Sequence, residues 1–125
     1  MKNRIIGGYT IFIGILVIAM WIMILNGPAF SEGKTELGFH LFSEFLMAII
    51  CIISGLRLWL NKPGAKILNV CGLGMVIYSV LNAAGYYGEK GETAMLFMFI
   101  ILTILTAISV ILLTVNSMKL SNKND

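Results

Sequence analysis

Four apolar runs, each about twenty residues long, set the terms on which this chain can fold, because that is the length an α-helix needs to cross a hydrocarbon core of ~30 Å. Inside such a core no water is present to satisfy a stray backbone N–H or C=O, so each run must satisfy its own by forming a helix. Only 12% of the 125 residues are charged, about half the ~25% carried by an ordinary soluble domain. The expected fold is therefore all-α, an antiparallel bundle of four transmembrane helices making one domain over residues 1–125. No connection or tail is long enough to build a core of its own, which takes upwards of ~40 residues.

The first span is expected over Ile5–Leu25 and stops at Asn26-Gly27-Pro28, where Gly and Pro end a helix. Its apolar stretch exceeds the 7 to 15 residues of a signal-peptide core, so it reads as a retained span. The second runs over Leu37–Leu60, interrupted by His40, Glu44 and Arg57, and turns at Asn61-Lys62-Pro63-Gly64. The third covers Ile67–Tyr87, and Gly88-Glu89-Lys90-Gly91-Glu92 separates it from the fourth, Thr93–Val115.

Seven of the nine basic residues, Lys2, Arg4, Arg57, Lys62, Lys66, Lys119 and Lys123, fall at the termini and the second turn. Lys34 and Lys90, in the first and third turns, each stand beside two glutamates. Loops rich in Lys and Arg stay in the cytoplasm, so the expectation is a multi-pass protein of the cell membrane with both termini cytoplasmic. The lipid bilayer is its first partner. The net charge of +3 is a topology signal, and the basic patch with interleaved aromatics that nucleic-acid binding requires is absent. Cys51 and Cys71 fall inside helices, with no spacing of a zinc or redox motif, and read as small packing residues.

Between helices in lipid, small residues let backbones approach, so small and polar side chains mark expected inward faces. These are Gly7, Thr10, Gly14 and Trp21 on the first helix and His40, Glu44, Ala48, Cys51 and Gly55 on the second. On the third they are Cys71, Gly74, Tyr78, Asn82 and Gly85, and on the fourth Thr103, Ala107 and Thr114. Gly72 and Gly74 also leave room for a second, intermolecular surface, and with it a homo-oligomer.

At 1.5 Å per residue, His40 lies roughly 5 Å and Glu44 roughly 10 Å below the outer end of the second helix. Trp21, Tyr78 and Asn82 fall roughly 6, 14 and 8 Å below the outer ends of theirs. An ionisable side chain at such depth costs about 2.5 to 3.5 kcal/mol on insertion scales, so Glu44 needs an explanation. With His40 one turn away on the same face, it forms either a functional pair that moves a proton or holds a cationic ligand, or interhelical glue bonded by Tyr78 and Asn82. Catalytic zinc takes three protein ligands, and one histidine with one membrane carboxylate does not supply them. No metal and no cofactor is expected. Arg57, near a cytoplasmic end, can snorkel to the interface.

The segment Gly38-Phe39-His40-Leu41-Phe42-Ser43-Glu44 resembles the His-x-x-x-Glu helix of the emopamil-binding family of sterol isomerases, grouped with sigma-2-type receptors. That resemblance implies proton exchange by His40 and Glu44, or a cationic ligand held between them. The pattern of the whole chain, including Gly74 to Tyr87, resembles small four-span bacterial membrane proteins of the DoxX-like kind, which implies an architecture and no reaction. The function expected is thus a polar pocket in the extracytoplasmic half, lined by Trp21, His40, Glu44, Tyr78 and Asn82, that binds a small amphipathic or cationic ligand. The alternatives are proton-transfer catalysis by His40 and Glu44, which are the candidate catalytic residues, and a structural subunit of a larger membrane complex.

Overall fold

The computed structural model describes residues 1–26 and 34–123. Four helices account for nearly all of them: α1 (Lys2–Leu25), α2 (Lys34–Trp59), α3 (Ala65–Glu89) and α4 (Thr93–Ser121), with no strand among the described residues. Each is long and apolar enough to cross a membrane, so the chain is an all-α, multi-pass membrane protein as its hydropathy demands. α1 and α2 begin three residues before their expected starts, α3 extends two residues at each end and α4 six at its C-terminus, while α1 ends and α4 begins as expected and α2 stops one residue short. At α4 the polar residues Asn116, Ser117 and Lys119 continue the helix, since none of them breaks it and a lysine in the last turn suits the helix dipole. The Gly27-Pro28 stop and the charges at Glu32 lie outside the described residues.

The chain divides into two compact units, Met1–Ala65 and Lys66–Asp125. In the first, α1 and α2 pack along a seam where glycines let the backbones meet, with Ile11 and Ile52 closing over them. A Cβ placed on Gly7 would lie 2.7 Å from the Gly55 carbonyl oxygen, and one on Gly55 would lie 2.7 Å from that of Gly7. One turn-pair further on, a Cβ on Gly14 would lie 2.8 Å from the Ala48 carbonyl oxygen. Real Cβ atoms do not approach a backbone oxygen so closely, so only glycine permits this spacing. Gly7 and Gly14 are seven residues apart, as are Gly55 and Ala48 in the opposite direction, which is the repeat that keeps one face of each helix on its neighbour. The ring of Trp59 covers Gly8, and Asn3 Nδ2 donates to Asn61 Oδ1 at 3.2 Å.

The turn after α2 shows how sequence closes a helix in this setting. Asn61 takes the left-handed conformation at φ 53°, its N–H bonds to the Leu58 carbonyl, and the Lys62 N–H bonds to the Arg57 carbonyl. These are the paired bonds of a Schellman cap, with asparagine in the place usually held by glycine. Arg57 folds over the same turn, its Nη2 donating to the Pro63 carbonyl at 2.8 Å, so its charge serves the boundary of the helix.

In the second unit the turn after α3 repeats the cap with Gly91 at φ 72°, Gly91 N–H bonding to Gly88 and Glu92 N–H to Tyr87. Across this turn the Tyr87 ring stacks on Phe99 at 5.6 Å. Lys90 Nζ donates to the Tyr86 hydroxyl and lies 4.3 Å from the centre of that ring. The hydrogen bond holds the ammonium pKa above its usual value.

Two of the expected inward faces need correction. On α1 and α2 the buried residues include Gly7, Thr10, Gly14 and Trp21, then Glu44, Ala48, Cys51 and Gly55, as the spacing implies, but His40, expected on the same face of α2, is exposed because it stands near the start of the helix, at the end of the seam. On α3, however, Cys71, Gly74, Tyr78, Asn82 and Gly85 are exposed, while Asn69, Gly72, Leu73, Val76, Val80 and Ala84 are buried. Small residues stand on both faces of this helix, so smallness alone did not distinguish them. On α4 the buried residues are Phe99, Thr106 and Leu113, with Thr114 exposed. The hydroxyls of Thr103, Thr106, Ser109 and Thr114 each donate to the carbonyl four residues earlier at 2.7 to 2.9 Å. A hydroxyl satisfied by its own helix is at home facing lipid, so these residues never marked a face.

The seam yields a direct test. Gly14→Ala is expected to destabilise the protein by about 1 to 3 kcal/mol, the usual cost of overpacking. Gly38→Ala, where an added Cβ meets nothing within 4 Å, should instead gain up to ~1 kcal/mol from helix propensity. Thermal unfolding in detergent, followed by circular dichroism, reads both. Equal effects of the two substitutions would contradict the close-packed seam.

Candidate functional site

Trp21 stands seven residues beyond Gly14 on the same side of α1, so the seam that begins with glycine against glycine ends with an indole. That indole is buried, with 4% of its surface exposed. It meets the imidazole of His40 edge-on, the ring centres 5.4 Å apart and the planes inclined at 61°. An edge-to-face pair at this distance is favoured by the ring quadrupoles. The antiparallel register brings it about: Gly7 faces Gly55, Gly14 faces Ala48, and the next step of the seam brings Trp21 to His40.

Glu44 follows one turn after His40 on α2 and is 8% exposed, buried on a membrane-spanning helix although its side chain is a carboxyl. His40 itself is exposed. Between them, the Ser43 hydroxyl donates to the His40 carbonyl at 2.8 Å, so it is turned back on the helix. The α1–α2 unit thus presents, in one turn of α2, an aromatic wall, an exposed imidazole and a buried carboxyl. Carboxylate and aromatic faces are the two features that recognise an organic cation.

Of the five residues expected at the site, three therefore belong to the α1–α2 unit. The other two, Tyr78 and Asn82, stand on the exposed face of α3, Tyr78 with 71% of its surface free. A shallow apolar groove of about 350 Å³ is lined by Thr35, Gly38, Phe39 and Phe42. At about 100° per residue those four share the side of α2 opposite Glu44, so this groove is separate from the carboxyl. Among the described residues no three His, Cys, Asp or Glu side chains come together as metal ligands do. The wholly buried Asn69 was not singled out by spacing, because it stands one turn from the polar second turn and reads as an interfacial residue.

The chain belongs to the DUF8058 family. The model of that family, described as a domain of unknown function, matches residues 1–125. No curated protein and no solved structure matches the chain. Membership in this family is consistent with a small membrane protein of four apolar helices and supports neither the DoxX-like nor the emopamil-binding resemblance.

Proposed function

We propose that this protein lies in the cell membrane with both termini in the cytoplasm, and that Glu44, His40 and Trp21 form the polar end of a binding site for a small amphipathic cation in the extracytoplasmic half. The orientation rests on the seven basic residues at the termini and the second turn, since Lys and Arg flanking short loops remain on the cytoplasmic side. The observation that carries the ligand is the burial of Glu44 within α2. A carboxyl in a membrane helix is retained at a cost of about 2.5 to 3.5 kcal/mol, and such residues face an interior or wet cavity where they meet ions, protons or ligands. A ligand cation offsets that cost when it binds, and an aliphatic or aromatic body suits the apolar surroundings. Indole is the ring type with the strongest pull on a cation, and Trp21 supplies it beside the exposed imidazole of His40.

Tetraphenylphosphonium binding to the purified protein in lipid nanodiscs tests this reading. Glu44→Gln preserves size and hydrogen-bonding capacity while removing the charge, so affinity should fall at least tenfold, or ~1.4 kcal/mol, with thermal stability little changed. Binding that is equal in the two proteins would overturn the site. For the orientation, a cysteine replacing Lys90 should react in intact cells with an impermeant thiol reagent and one replacing Lys62 should not. The reverse pattern would invert the topology.

A further inference from the structure

One end of the α1–α2 unit gathers positive charge. Where α1 begins and α2 stops, Asn3 and Asn61 are tied by their side-chain hydrogen bond of 3.2 Å. Lys2 and Arg4 flank Asn3, and Lys62 follows Asn61, so the bond collects cations from two segments far apart in the chain. All three are exposed. At 100° per residue Lys2 and Arg4 leave α1 on opposite sides of Asn3, and Arg4 shares its side with Gly8, one turn on. The ring of Trp59 lies over Gly8, its Cζ3 3.0 Å from where a Cβ would stand. Arg4 and Lys62 therefore stand at the water's edge of the unit, with an indole one turn deeper than Arg4.

No carboxylate answers these charges. Among the described residues, the side chains of Arg4, Trp59 and Lys62 make no hydrogen bond and no ion pair. Arg57, by contrast, is engaged by the Pro63 carbonyl. Nor does the rest of the chain supply an anion here. Each helix is fit to cross the membrane, so successive helix ends alternate between its two sides. Glu32, Glu36, Glu89 and Glu92 then fall on the opposite side, Glu44 falls within a span, and of the six acidic residues Asp125 alone shares this one. What the later helices bring to this side is Lys66, Lys119 and Lys123, which add to the charge.

We propose that this end of the α1–α2 unit holds the phosphate headgroup of an anionic phospholipid, Arg4 and Lys62 donating to the phosphate oxygens and Trp59 lying at the level of the glycerol backbone. Position selects a lipid over a soluble anion. The cations stand at the last turn of helices that cross the membrane, where headgroup phosphates lie, and an indole is at home at that same level. Guanidinium and ammonium both donate to phosphate, the first through a two-pronged fork. Ile5 and Leu60, at 70% and 62% exposure, give the acyl chains an apolar surface beside them. Anionic lipids draw basic residues next to a membrane, and the Asn3–Asn61 bond adds a fixed spacing that diffuse attraction lacks. The site is independent of Glu44, of the ligand proposed for it, and of which side of the membrane this end faces.

Native mass spectrometry of the full-length protein, purified in dodecyl maltoside and mixed with equal amounts of phosphatidylglycerol and phosphatidylcholine, reads this selectivity. The native protein should retain phosphatidylglycerol in preference by about fivefold or more, and Arg4→Gln with Lys62→Gln should abolish the preference. Removing the same charge through Lys119→Gln with Lys123→Gln should leave it within about twofold of the native value. Asn3→Ala keeps every charge and loses only the tie, so it too should lower the preference. Asn3, Arg4 and Lys62 are all at least part-exposed, so unchanged melting by circular dichroism should accompany these losses. Ammonium phosphate in place of ammonium acetate, at equal ionic strength, should not displace the lipid. Equal retention of the two lipids by the native protein would overturn the proposal. So would an equal loss in the two double variants, which marks diffuse charge, a preference indifferent to Asn3→Ala, or displacement by phosphate, which would make this a site for the free anion.

Discussion

The close approach of two backbones, Gly7 to Gly55 and Gly14 to Ala48, is the contact on which the α1–α2 unit depends. In lipid the hydrophobic effect does not drive helices together, because acyl chains are as apolar as leucine. What remains is packing, and it is strongest where no side chain holds the backbones apart. With an added Cβ lying 2.7 to 2.8 Å from a carbonyl oxygen at three glycine positions, the register of the two helices is fixed to the residue. Ile11 and Ile52 close over the same glycines, their Cγ1 atoms 2.7 and 2.8 Å from where a Cβ on Gly55 and on Gly14 would lie. The candidate site inherits its geometry from this contact, since the same seven-residue repeat that aligns the glycines carries Trp21 to His40.

Polar groups elsewhere follow the second rule of a membrane, that each must be satisfied close to home. Hydroxyls on α4 bond to their own helix. The ends of α2 and α3 close with paired capping bonds around Asn61 and Gly91, and Arg57 reaches back to a turn carbonyl. Against that background Glu44 stands out as a carboxyl 8% exposed on a membrane helix. Asn82 and Tyr78 stand out for the opposite reason, being polar and turned outward.

How far the sequence revealed this arrangement depended on whether one physical rule acted alone. Helix number and approximate ends were legible, because span length and the Gly, Pro and Asn breakers both point to them. The seam of α1 was legible because Gly7, Gly14 and Trp21 share a seven-residue spacing with no competing small face. On α3 two faces compete, Gly72 and Ala84 on one and Gly74 and Gly85 on the other, and the rule that small residues point inward had no means of choosing. Thr103 and Thr114 were ambiguous for a different reason, since a threonine that bonds its own helix is as stable in lipid as in a core. At the candidate site the spacing of His40 and Glu44 placed them one turn apart, while the contact of His40 with Trp21 depends on interhelical register, which periodicity within one helix does not specify.

The glycine seam positions Trp21 against His40, one turn from Glu44. The most direct measurement is magnetisation transfer between the Trp21 indole and the His40 imidazole, by NMR of labelled protein in lipid. The native protein should show cross-peaks between the two rings, and Gly14→Leu, which forces the seam apart, should lose them. Absence of the cross-peaks in the native protein, or their survival in Gly14→Leu, would contradict it.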